Sequence, residues 1–241
     1  MSRVKAVISY DGSAYYGFQK QTSTTQTITH KIENGLKSLH IQSAIVGSGR
    51  TDAGVHATGQ VIHFDIPDYW NDLQKLKLNL NRKLNDIQCK HITLVEDAFH
   101  ARFSAKKRLY RYVFKTSKPS VFEQKYISYY KPFNVFALQD ALSSFIGKHD
   151  FDYFRKSGTD THTSTREVYK AFYRQRGPYH FIYFEANGFL RSQVRMMVES
   201  AMLVAKGELS KEQLLQQLAC KQKSTTTLAP PQGLYLAKII Y

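Results

Sequence analysis

The stretch Gly47-Ser48-Gly49-Arg50-Thr51-Asp52-Ala53-Gly54-Val55-His56-Ala57 sets three glycines within eight residues, and Gly59 follows closely. It frames one carboxylate, Asp52, between a cation, Arg50, and an imidazole, His56. Glycine tolerates positive φ and lets a ligand approach the backbone closely, so such a loop can present its acid to a bulky substrate. The apolar run Val61-Ile62-His63-Phe64 reads as the strand leaving the loop, and residues 41–46 as the strand that delivers it.

Working outward, residues 4–10 form a β-branched, partly alternating run that ends at Asp11-Gly12, a strand followed by a turn. Ile28, Ile32, Leu36 and Leu39 recur at helical spacing, as do Leu73, Leu76, Leu80 and Leu84, and residues 87–95 predict a further strand. The alternation of strands and helices makes the first half an α/β unit. The second half repeats the theme loosely. It has a strand over 109–114, a helix over 137–145 and two aromatic-rich strands over 168–173 and 179–184 around a hairpin at Arg176-Gly177-Pro178. A helix over 194–205 follows, then a short one with Ser210 and Gln213 as a capping box, and a terminal strand over 234–241. The expected division is 1–104 and 105–241. The polar stretches 116–125 and 155–165 lack periodicity and are predicted to be mobile loops. No low-complexity linker separates the halves, which predicts a shared sheet or a tight interface.

The chain has 241 residues, with 34 Lys and Arg against 19 Asp and Glu, a net charge of +15. That surplus favours a polyanionic partner, because each neutralised phosphate releases condensed counterions. Aromatic residues reach 13%, including 16 Tyr and 15 Phe, and rings interleaved with cations suit unstacked bases. The favoured partner is therefore a nucleic acid. The two cysteines, Cys89 and Cys220, lie far apart without CxxC spacing, which argues against a disulfide framework or a structural zinc site and suits a reducing compartment. The N-terminus lacks the continuous apolar core of a signal peptide, and no run reaches the length of a membrane span. The reading is a cytoplasmic protein that uses neither membrane nor metal.

An Asp in a Gly-rich turn is by default a turn former that caps backbone amides. Arg50 two residues away, His56 four residues away and the departing strand favour a chemical role for Asp52 instead. A metal site from Asp52, His56, His63 and Asp65 matches no recurrent ligand spacing, since His63 and Asp65 share one face of an alternating strand. A phosphate-cradling loop lacks GxxxxGK[ST], and its acid would repel the phosphate.

Taken together, Gly49 through Ala57 with Gly59-Gln60-Val61 resembles the signature of the tRNA pseudouridine synthase A (TruA) family. The likeness continues in Tyr10-Asp11-Gly12-Ser13-Ala14-Tyr15-Tyr16-Gly17-Phe18-Gln19. It recurs in Phe99-His100-Ala101-Arg102-Phe103-Ser104-Ala105 with Lys107-Arg108-Leu109-Tyr110-Arg111-Tyr112. His149-Asp150-Phe151 with Phe154, and Thr165-Arg166, match further elements. So do Ala186-Asn187-Gly188-Phe189-Leu190-Arg191 with Val194-Arg195, and Gly233-Leu234-Tyr235-Leu236. The blocks follow family order from near residue 4 to the C-terminus.

The resemblance implies an α/β (α+β) pseudouridine synthase fold: two related halves sharing a central, mostly antiparallel sheet, with a cleft between them. It also implies a homodimer, no cofactor, and uridines 38, 39 and 40 of the tRNA anticodon arm as substrate. The reaction breaks a uridine N-glycosidic bond, rotates the uracil and rejoins it through C5, without a redox step or a metal. One carboxylate can attack the sugar or abstract its proton, whereas a hydrolase needs a second acid or an activated water. By resemblance Asp52 is the catalytic aspartate. Arg195 is the basic residue that holds it ionised. Tyr110 is the active-site tyrosine, stacked on the target base, and Arg50 fills the gap left by a flipped nucleotide. Lys107, Arg108 and Arg111, with Arg102 and Arg166, would line an RNA channel; taken singly, each reads as a solvated charge. Three positions depart from the family pattern: Phe18 stands for Trp, Asn85 for Pro and Glu199 for Gly. A catalytically silent RNA-binding protein on the same scaffold is the alternative, against which intact Asp52, Tyr110 and Arg195 argue. A metal-dependent phosphoesterase using Asp52, His56, His63 and Asp65 is a second.

Overall fold

A computed structural model describes residues 1–158 and 161–241. The fold is mixed α/β, with five α-helices among the described residues and a central, mostly antiparallel sheet. Two compact units make up the chain: Met1–Lys106 with Leu236–Tyr241, and Lys107–Tyr235. Residues 236–241, read from sequence as part of the second half, thus belong with the first. A strand groups with the neighbour it hydrogen-bonds, whatever its distance along the chain.

In the first unit, β1 (Ser2–Tyr10) lies between β4 (Ile87–Leu94) and β3 (His56–Ile66), antiparallel to both. The last strand, β10 (Leu234–Ile240), runs beside β3. Alternation along β1 buries Val4, Ala6, Ile8 and Tyr10, the period-2 signature of a strand with one face on a core. α1 (Ile28–Lys37) buries Ile28, Ile32 and Leu36, and Thr27 caps it by accepting the His30 N–H at 3.3 Å. α2 (Leu73–Lys83) buries Leu76 and Leu80, and the Asp72 carboxylate accepts the N–H groups of Gln74 and Lys75. The strand expected over 41–46 shrinks to β2 (Val46–Gly47), which pairs with Ile62 and His63. Side chains take the ladder's place upstream: Ile45 N–H donates to Glu33 Oε1 (3.1 Å), and Ser43 Oγ accepts Asp65 N–H (3.0 Å).

In the second unit the order is β5 (Lys107–Lys115), β9 (Tyr179–Ala186), β8 (Thr165–Arg176), β7 (Gly147–Asp150), each antiparallel to the next. β6 (Ser128–Tyr129) pairs parallel to β5. β6 and β7 are two and four residues long, too short for any period to show in the sequence. Tyr110, Tyr112 and Phe114 of β5 stand opposite Phe184, Ile182 and His180 of β9, all buried. α3 (Val135–Ser143) packs on β8 and on α4 (Gln193–Ala205) over that face. α5 (Lys211–Leu218) carries the expected capping box, with Ser210 and Gln213 each accepting the other's backbone N–H. Residues 116–126 are irregular turns, yet anchored. Glu123 accepts from Ser120 N–H, Lys115 Nζ and Tyr179 OH, and these donors hold its carboxyl down at about 2. The second predicted loop, 155–165, includes residues 159 and 160, which lie outside the described residues.

Candidate active site

Asp52 opens a four-residue turn closed by Val55 N–H donating to the Asp52 carbonyl at 3.2 Å. Gly54, third in that turn, has φ +75°, the sign a type II turn requires at that position. The N-terminal block packs behind it. Gly54 N–H donates to Tyr15 O (3.2 Å) and Phe18 N–H to Thr51 O (3.1 Å). A methyl group on Gly12 would lie 2.0 Å from the Val55 carbonyl oxygen, and one on Gly17 2.9 Å from the Thr51 carbonyl oxygen. The glycines of the first block therefore exist to admit the Asp52 turn.

Gln60, fully buried, clasps the other end of the loop. Its Oε1 accepts from Ser48 Oγ (2.6 Å) and its Nε2 donates to Gly49 O (2.8 Å). Tyr10 OH and Thr51 Oγ1 meet at 2.8 Å in the core, and burial pushes the phenol well above its ordinary range. Asp52 is thus half-buried on a turn held from three sides, with Arg50 exposed beside it.

Of the residues Asp52, His56, His63 and Asp65, the last three serve separate partners. His56 Nδ1 accepts Gly12 N–H at 3.0 Å and lies 3.3 Å from Asp11 Oδ1; a nitrogen that accepts that amide has no proton for the carboxylate. His63 Nδ1 accepts Ala101 N–H at 3.1 Å, and burial, then the charge of Arg3, pulls this imidazole down to about 4. Asp65 pairs through both oxygens with Arg3 Nε (2.9 Å) and Nη2 (3.2 Å), which keeps its carboxyl below the usual range. No group of three His, Cys, Asp or Glu among the described residues can hold a metal ion.

Tyr110 and Arg195 lie in the second unit. Tyr110 is 8% exposed, its ring edge-on to Phe189 at 5.2 Å. Tyr112, on the same face, is fully buried and donates to Ser128 Oγ at 2.8 Å. Arg195, in the first turn of α4, is half-buried. Its Nε donates to Ala229 O (2.7 Å), and Ala229 N–H returns a bond to Arg195 O (3.1 Å). One turn along the helix, the departure Glu199 has a partner: its buried carboxylate accepts Tyr130 OH at 2.6 Å. Glu199 and Arg195 act on the Tyr112 phenol with opposite sign, while burial dominates and raises it. The signal in the sequence was an acid inside an apolar helix run, four residues after Arg195.

Strand alternation sorts the predicted RNA-binding cations. Arg108 Nη1 donates to Asn187 O (2.7 Å), and Arg166, against Gly188, donates to Thr163 O (2.9 Å). Both gather with Tyr110 around residues 187–189. Lys107 and Arg111 project from the opposite face of β5, Lys107 over the Tyr169 ring and Arg111 over the Tyr235 ring at 5.2 Å. One channel wall therefore does not carry all of them. In the first unit Arg102 is exposed with its guanidinium 5.7 Å from the Phe103 ring, which stacks on His100 at 4.3 Å.

A family model described as tRNA pseudouridine synthase matches residues 6–104 and 141–241. Proteins of Wolinella succinogenes and Campylobacter jejuni, each called tRNA pseudouridine synthase A, are 36% identical over 242 residues, covering all of this chain and 95% and 100% of their own lengths. A Lactococcus lactis protein of the same name is 36% identical over 248 residues, covering all of this chain and 98% of its own. No helix among the described residues is long and apolar enough to cross a membrane.

Proposed function

The chain belongs to the tRNA pseudouridine synthase family, a family of isomerases, and from that premise we propose that it isomerises uridines 38, 39 and 40 of the tRNA anticodon arm, acting as a homodimer. The observation that carries this reading is Asp52: a lone carboxylate on a turn locked by Gly12, Gly54 and Gln60. Locking matters because a reacting group held in place avoids the entropy of finding its geometry. In this reading the target uridine leaves the stack, and Arg50 fills the space it vacates. Asp52 acts on the ribose or the base while the glycosidic bond breaks. The Tyr110 ring stacks on the freed uracil, and its hydroxyl assists proton removal at C5. Arg195, steadied by Ala229, brings a fixed positive charge to the reaction. Arg102, Arg108 and Arg166 meet phosphates, which position the RNA without reading its sequence.

Mapping pseudouridines in unmodified tRNA after incubation with the purified protein tests this, with and without excess chelator. The expected result is modification confined to positions 38–40 in both arms, and none with Asp52→Asn, whose amide keeps the shape but loses charge and nucleophilicity. Wild-type turnover in Asp52→Asn would remove Asp52 from the chemistry. Tight binding of tRNA without any pseudouridine would favour the silent RNA-binding scaffold.

A further inference from the structure

Tyr16 stands in the N-terminal block that packs behind the Asp52 turn, and its neighbours are committed inward. Tyr15, Gly17 and Phe18 are buried, whereas Tyr16 is 58% exposed. Hydrogen bonds fix this stretch to two elements of the first unit. Toward the turn, Tyr15 O accepts Gly54 N–H (3.2 Å) and Phe18 N–H donates to Thr51 O (3.1 Å). Toward α1, Gly17 O and Phe18 O accept the N–H groups of Ile28 (3.2 Å) and Thr29 (2.9 Å). The backbone of Tyr16 is held as well: its N–H donates to Gln26 O (2.9 Å), and its carbonyl accepts from Gln21 Nε2 (2.6 Å). Among the described residues, its ring and hydroxyl meet no hydrogen-bond partner, stacked ring or cation of the protein.

A lone exposed ring is ordinary on a protein surface. This one differs in place and in rigidity. A methyl group on Gly17 would lie 3.4 Å from Ala53 N and 3.5 Å from the Asp52 carbonyl carbon, and the Tyr16 Cα is one peptide, about 3.8 Å, along the chain from Gly17. The Tyr16 ring therefore leaves a backbone that touches the Asp52 turn. A tyrosine on a fixed backbone gives up only its side-chain torsions when it meets a ligand, so it offers contact area at low entropic cost.

Charge decides what it meets. The one cation among residues 10–27 is Lys20, which pairs with the buried Glu33. Asp86 accepts the Tyr15 hydroxyl at 3.2 Å, and burial, then the charge of Asp86, pushes that phenol up to about 12, with Asp11 adding to the effect. Arg50, beside Asp52, is already given to the gap left by the target nucleotide. These carboxylates would repel a phosphate, whereas an unstacked base offers a neutral flat face.

We propose that Tyr16 stacks on an unpaired base of the tRNA next to the target uridine and so holds the RNA beside the Asp52 turn. The inference rests on tRNA being the substrate and on Asp52 being the reacting carboxylate, and it adds a binding residue to that site.

The test uses the full chain and unmodified anticodon stem-loop RNAs, one intact and the others each lacking the base at one unpaired position near the target. Kd is read by filter binding across a salt series, and pseudouridine formation is followed in the same samples. The variants are Tyr16→Ala, Tyr16→Phe and Tyr69→Ala, the last at a tyrosine 62% exposed on the loop before α2. Tyr16→Ala should weaken binding of the intact RNA about 5- to 150-fold, the range for one base–ring stack. The slope of log Kd against log salt should stay as in wild type, because no phosphate contact is lost. Tyr16→Phe keeps the ring face and should bind within about twofold of wild type, as should Tyr69→Ala. With one of the abasic RNAs, Tyr16→Ala should cost nothing further, since the stack is already gone and the two losses fail to add. Additive losses with every abasic RNA, or an unchanged Kd in Tyr16→Ala, would overturn the proposal. So would a lowered salt slope, which would make Tyr16 part of a phosphate contact. If the wild-type protein binds the RNA but makes no pseudouridine, the proposed activity fails while the binding comparison still decides Tyr16.

Discussion

Replacing Gly12 by alanine tests whether the N-terminal block positions Asp52. The added methyl would lie 2.0 Å from the Val55 carbonyl oxygen and 2.6 Å from its carbon, where real contacts essentially never fall below 3.0 Å. Backbone cannot rotate aside as a side chain can, so the Asp52–Val55 turn must retreat by about 1 Å in a close-packed setting. Overpacking of this kind costs about 1–3 kcal/mol, which for a chain of this length lowers the melting temperature by roughly 3–10 °C. A displacement of about 1 Å at a reacting group costs on the order of a hundredfold in rate. Single-turnover pseudouridine formation at saturating tRNA should therefore fall about a hundredfold in folded Gly12→Ala, with Kd for tRNA changed less than about threefold because phosphate contacts dominate affinity. Gly17→Ala should fall between the variant and wild type, its methyl being 2.9 Å from Thr51 O at φ +106°. Gly49→Ala meets nothing within 4 Å and should fold like wild type. A wild-type single-turnover rate in folded Gly12→Ala would refute the claim that this contact sets the position of Asp52.

Three further outcomes are expected. Tyr110→Phe should lose most turnover with tRNA affinity kept, whereas Tyr112→Phe should mainly lose stability, by about 1–2 kcal/mol, because Ser128 loses its donor; equal turnover losses would contradict the assignment. In urea melts Glu199→Leu should be less stable than Glu199→Gln by about 1–3 kcal/mol, since only glutamine still accepts the buried Tyr130 hydroxyl, and equal midpoints would count against that bond. His63 titrates near 4 when folded and near 6.5 when unfolded. Between those values the unfolded chain takes up a proton the folded one refuses, so stability should fall as pH drops from about 6.5 to 4. His63→Gln should flatten that slope, and an unchanged slope would assign it to other groups such as His180, also lowered by burial.

Most of the element order was readable from periodicity, because burial of one face leaves a period of 2 or 3.6 along the chain. That is how α1, α2, α4, β1 and β5 are legible, and the Ser210–Gln213 cap is legible because both its bonds are local. The Asp52 turn was legible for the same reason: Gly54 must take positive φ there whatever surrounds it. What holds that turn was not. Gly12 and Gln60 act across 43 and 11 residues of chain, through contacts with Val55 and Gly49, and no spacing in the sequence encodes a partner's identity. Length defeated the reading of β6 and β7, and side-chain acceptors displaced the ladder expected over 41–45. Glu199 looked like a bare departure until Tyr130 stood beside it. The cations of 107–111 form one basic block in the sequence, yet alternation sends Arg108 and Arg111 to opposite faces of β5, and only the register with β9 and β8 decides what each meets. Sequence determined which residues could lie buried, turn sharply or carry charge, since those are local properties of side chain and backbone. Tertiary structure alone decided which of them meet, because pairing is set by long-range register and packing, for which a linear pattern holds no coordinate.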